Sequence, residues 1–99
     1  MIHFSEALKS KPFVVTAEMT PPKGVDISRN LKDIKALRGV DAANVTDQNA
    51  SVMRLGPLAL SRVLKERGIE PICQFTCRDR NRIALQSDLL STYVLGIEN

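Results

Sequence analysis

Apolar and polar positions change their period several times along this chain, and those changes mark out its elements. Over residues 12–19, 41–47 and 71–77, short runs rich in apolar and β-branched residues, bounded by Gly, Pro or Asp, predict three strands. Over about 27–38, 55–67 and 81–95, apolar residues recur every three or four positions and predict three helices. Ile27, Leu31, Ile34 and Leu37 share one face of the first; Leu60, Val63 and Leu64 serve the second. The third carries Ile83, Leu90, Val94 and Ile97 in one row and Leu85 and Leu89 in another, which predicts burial against two neighbours. Residues 1–11 predict a short amphipathic lead-in helix covering one end of the fold.

The strand starts lie roughly thirty residues apart, the size of one βα unit. A second signal repeats with them: Gly39-Val40-Asp41, Gly68-Ile69-Glu70 and Gly96-Ile97-Glu98 each follow a helical pattern. Glycine suits the left-handed position that ends a helix, and the residue after it begins the return toward the sheet. Asp26 or Ser28, Gly56 or Ser51 ahead of Pro57, and Asp79 or Asn81 are the candidate helix starts. The chain divides into the lead-in (1–11) and βα units of about 12–39, 40–68 and 69–99. This predicts a single N-terminal fragment of a longer domain.

Alternation along the strands gives the architecture. One face holds Val14, Thr16, Glu18 and Thr20, then Ala42, Asn44 and Thr46, then Ile72, Gln74 and Thr76. Each series begins apolar and turns polar toward its C-terminal end. The other holds Phe13, Val15, Ala17 and Met19, then Ala43 and Val45, then Cys73, Phe75 and Cys77, and should lie under the helices. One helix-covered face and one face grading into polar groups describe a barrel interior better than a doubly wound sheet. The expected fold is α/β, a partial (β/α)₈ TIM barrel of about three parallel units, since a whole barrel takes about 250 residues.

Composition narrows the function. The 99 residues are 43% hydrophobic and 25% charged, with a net charge of +3. No run approaches the ~20 apolar residues of a membrane span, and the first nine residues do not read as a signal peptide. Two cysteines are too few for a disulfide framework, so cytoplasm is the expected compartment. One Tyr, three Phe and no Trp offer few stacking platforms, which argues against nucleic acid.

Three stretches carry candidate chemistry. Glu18 stands at the C-terminal end of the first strand, just before Pro21 and Pro22 stop it. Among Val14, Thr16 and Thr20 its carboxylate would be partly desolvated and suited to general acid work; pairing with an arginine is the alternative. Asn44-Val45-Thr46-Asp47-Gln48-Asn49 is dense in short hydrogen-bonding side chains, able to position a polar ring or to satisfy its own turn. Gln74-Phe75-Thr76-Cys77-Arg78-Asp79-Arg80-Asn81-Arg82 brings three arginines to a helix start, for an anion or for Asp79 and neighbouring acids. Cys73 and Cys77 read as buried free thiols without the further ligands zinc requires. His3 has no evident partner, and no metal is expected.

At this point the residues resemble a known family. Thr-Ala-Glu-Met-Thr-Pro-Pro-Lys-Gly from Thr16, Asp-Ala-Ala-Asn-Val-Thr-Asp from Asp41, and Gln-Phe-Thr-Cys-Arg-Asp-Arg-Asn-Arg-Ile-Ala-Leu-Gln-Ser-Asp-Leu-Leu from Gln74 look like the methylenetetrahydrofolate reductases. The third is similar to the bacterial branch that includes clostridial-type enzymes and homocysteine methyltransferase fusions. The resemblance implies a flavin-dependent (β/α)₈ barrel passing hydride from NAD(P)H through FAD to methylenetetrahydrofolate, giving methyltetrahydrofolate. It implies that Glu18 protonates the folate, that Thr46, Asp47, Gln74 and Thr76 serve FAD, and that Gln48 serves the folate substrate. Gln74 departs from the histidine many members carry there, although an amide can still donate a hydrogen bond. The family's later strands supply most remaining contacts, so this chain alone is expected to be incomplete. It would associate as a homo-oligomer, or with a complementing chain, through open sheet edges. Two alternatives stand beside this: an isolated non-catalytic half-barrel subunit, and another TIM-barrel enzyme holding a phosphorylated substrate on its arginines.

Overall fold

The computed structural model describes residues 3–99. In chain order it contains α1 (Phe4–Ser10), β1 (Thr16–Met19), α2 (Ser28–Ala36), β2 (Ala42–Val45), a tight turn at Asn49–Ser51, α3 (Pro57–Glu66), β3 (Pro71–Cys73) and α4 (Arg82–Val94). The strands form one open sheet in the order β1-β2-β3, all parallel. Thr16 pairs with Ala42 and Glu18 with Asn44; Asn44 in turn pairs with Ile72. The architecture is that of a partial barrel, α/β with each strand followed by a helix.

Local chemistry accounts for the boundaries. The predicted Gly repeats hold: Gly39, Gly68 and Gly96 have φ of 95°, 82° and 73°, which L side chains rarely adopt. Pro57 occupies the first turn of α3 behind Gly56. Asn81, rather than Asp79, caps α4 by accepting from the Ala84 amide at 2.8 Å. The Asp26 carboxylate accepts the Ser28 amide at 3.0 Å, which holds it below its usual carboxylate pKa.

Ala43 and Val45 form the middle of the core with Met19, Ile34, Leu60 and Leu64. Leu60 and Leu64 are fully buried, each gaining about 1.5–3 kcal/mol from leaving water. The lower end is closed by polar contacts. Lys11 pairs with Asp41, whose other oxygen accepts the Val15 amide at 2.8 Å. Both contacts, Lys11 first, hold the Asp41 carboxyl below its usual range.

Several expectations fail, each for a reason in the packing. β1 begins at Thr16, not residue 12, because β2 offers no ladder partner earlier; Phe13 and Val15 are consequently exposed rather than under helices. β3 ends at Cys73, and Cys77, expected to be buried, is exposed. Cys73 is partly buried, and that desolvation pushes its thiol pKa up. No residue of α4 is buried, against the predicted burial on two sides. Its apolar circumference has no neighbouring element beyond it among the described residues.

Candidate active site at the C-terminal ends of the strands

Pro21 and Pro22 have no amide hydrogen, so the turn after β1 can be fastened only through its carbonyls. All three available carbonyls are taken. Thr20 O accepts from Asn30 Nδ2 at 3.1 Å, Pro21 O from Arg54 Nη1 at 3.3 Å, and Pro22 O from the Leu55 amide at 2.7 Å. Asn30 and Pro21 are buried. The turn is thus tied to α2 and to the segment before α3, and Glu18 stands two residues ahead of it. Its side chain lines an open groove of about 450 Å³ with Thr20, Arg29, Asn30, Asp33 and Arg54. Contrary to the expected desolvation, Glu18 is exposed, because the inner face of three strands has no opposing wall.

β2 delivers the next group. The Thr46 amide extends the ladder, donating to Met19 O at 3.1 Å. Its side chain is buried, and Oγ1 has no hydrogen-bond partner. Asp47, also buried, binds internally: Oδ2 accepts the Thr76 amide at 2.7 Å, and both oxygens receive the Arg80 guanidinium, Nη2 to Oδ1 at 3.2 Å. Gln48 adopts a left-handed backbone (φ 49°) and grips the Arg54 backbone at both ends, Oε1 to N at 2.6 Å and Nε2 to O at 3.2 Å. Both side chains that sequence placed on ligands therefore shape the loops that surround them.

β3 completes the row. The Gln74 amide donates to Val45 O at 3.2 Å and leaves the Gln74 side chain exposed. Thr76 is half-buried, its Oγ1 accepting the Arg78 amide at 2.9 Å. Arg80 continues from Asp47 to Asp88 on α4 at 2.7 Å and lies 4.8 Å over the Phe75 ring. Hydrogen bonds to Asp47 hold its proton even more firmly than usual. Arg78 pairs with Asp79 at 2.7 Å, which lowers the Asp79 pKa. Two of the three arginines are thus matched by carboxylates, which leaves little for a phosphorylated substrate.

The polar groups at these strand ends, Glu18, Thr46, Gln74 and Thr76, come from all three βα units. The family model for methylenetetrahydrofolate reductase matches residues 3–99. The chain belongs to the methylenetetrahydrofolate reductase family. Searches of curated proteins and of solved structures found no match. Among the described residues, no helix is long and apolar enough to cross a membrane.

Two features of this reductase-family site were missed in the sequence. Arg54 borders both the Glu18 groove and a neighbouring hollow lined by Gln48, Val52, Met53 and Arg80, and its Nε is buried without a partner. Gln48, Ala50 and Ser51 all have positive φ, at 49°, 61° and 59°. Neither Ala nor Ser signals that conformation; the Gln48 grip on Arg54 holds the loop in it.

Proposed function

We propose that this chain is the N-terminal part of a flavin-dependent methylenetetrahydrofolate reductase, akin to the bacterial clostridial-type and methyltransferase-fusion branch, acting in the cytoplasm with Glu18 as general acid. The observation that carries the reading is Glu18 at the end of a fastened β1, with Thr46 at the end of the neighbouring β2, in a chain matched by the family over residues 3–99. The Thr46 hydroxyl, the exposed Gln74 amide and half-buried Thr76 are the groups at these strand ends whose hydrogen-bonding chemistry suits the polar edge of a flavin ring. FAD, when bound, supplies the hydride received from NAD(P)H.

The chain's own residues do the rest. Thr46, Gln74 and Thr76 orient the ring; Asp47 and Gln48 set the loops that frame it. Glu18 gives a proton to the folate, opening the methylene bridge to the iminium that accepts hydride. Further βα units, continuing the chain or supplied by another copy, would cover the inner face and shield Glu18 from water. The exposed row of α4 and the free edge of β1 support that completion, and Asn99 already meets the outer edge of β3, its O accepting from the Cys73 amide at 2.8 Å. In the flavin-loaded enzyme, Glu18→Gln should lower folate reduction by about 10²–10⁴-fold while NAD(P)H still reduces the flavin in stopped-flow absorbance. Undiminished folate turnover would refute the role.

A further inference from the structure

We propose that His3, Glu70 and Glu98 form a site for one divalent cation of the zinc class, at the opposite end of the sheet from Glu18. His3 precedes α1, Glu70 directly precedes β3, and Glu98 lies in the segment after α4. One ligand atom from each falls within 4.8 Å of the others. His3, with no evident partner in the sequence, has its Nδ1 3.0 Å from Glu98 Oε2.

Glu70 makes this more than a surface ion pair. The residue is only 2% exposed. Its Oε1 accepts from Asn99 Nδ2 at 2.9 Å, but Oε2 is buried and unpartnered. Among the described residues no lysine or arginine pairs with it. A buried carboxylate needs a compensating charge, because leaving water uncompensated is costly. The ligand atoms of His3 and Glu98 lie within reach of it, and a cation held among them would supply that charge.

One imidazole and two carboxylates suit zinc and similar first-row ions, whereas calcium and magnesium favour oxygen alone. Zinc bond lengths of about 2.0–2.2 Å set tetrahedral ligand atoms about 3.3 Å apart. The His3–Glu98 pair already has nearly that spacing. Both side chains are about half exposed, at 49% and 55%, and free to close the remaining ~1.5 Å onto Glu70. Water would take the fourth position. The ion would tie α1, the start of β3 and the returning segment together, which suits the end of barrel strands that serves stability.

Zinc titration calorimetry on untagged Cys77→Ser protein tests this, the exposed thiol being removed as a competing ligand. One equivalent should bind, and saturating zinc should raise Tm by about 4 °C or more. His3→Gln and Glu98→Gln should each weaken binding by about tenfold or more and remove the Tm rise. Glu6→Gln, an exposed carboxylate outside the cluster, should change neither. Absence of binding, or binding undiminished in both variants, would overturn the site and leave a histidine–carboxylate contact.

Discussion

Helices α3 and α4 occupy equivalent places in successive βα units, yet they are held by different forces. α3 packs on β2 and β3, with Leu60 and Leu64 fully buried. α4 buries none of its residues, and Ile83, Leu90, Tyr93 and Val94 are all more than 70% exposed. It is secured by polar contacts: Asn81 caps its start, Arg80 clasps Asp88 in its middle, and Arg62 of α3 donates to Leu95 O just past its end at 2.8 Å. The flanks explain the contrast. α3 packs across two neighbouring strands, β2 and β3, whereas among the described residues no strand follows β3 for α4 to pack on. An apolar stripe reports the burial a helix is suited to, and its neighbours decide how much is realised.

Three substitutions sharpen that contrast. The largest effect is expected for Leu60→Ala, about 2–5 kcal/mol from the lost contacts and cavity, read from urea unfolding. A loss below 1 kcal/mol would mean that the α3 core is not the main source of stability. Asn81→Ala should cost about 1 kcal/mol, more than any single apolar truncation on α4, since the helix is held by polar contacts. Leu90→Ala should change monomer stability by less than about 0.5 kcal/mol, and light scattering should show weaker association if this row is a contact between chains. A larger destabilisation of the monomer would show that α4 is buried in solution after all.

Much of this molecule was legible in the sequence. All three helices and three strands fall where periodicity placed them, and the glycines end the helices with positive φ, because these signals are local. Strand lengths were less legible. A parallel strand runs only as far as its partner does, and nothing in Phe13-Val14-Val15 reveals that β2 starts opposite Thr16. At the site, strand alternation correctly put Glu18, Asn44 and Ile72 on one face, and the structure sets them in register across the sheet. The exposure of Glu18 and the internal use of Asp47 and Gln48 could not be read, because they depend on what lies across 30 or so residues of chain. The same holds for His3, whose partner Glu98 lies at the far end of the sequence.

Under the proposed function, the Thr46 hydroxyl would link stability to occupancy. A buried hydroxyl without a partner costs a fold about 1–3 kcal/mol, and this one stands at the middle strand of the sheet. A ligand that hydrogen-bonds to it recovers that energy only in the complex. On the proposed reading, a flavin that reaches this hydroxyl would recover the deficit as affinity, and by thermodynamic linkage its binding would stabilise the fold.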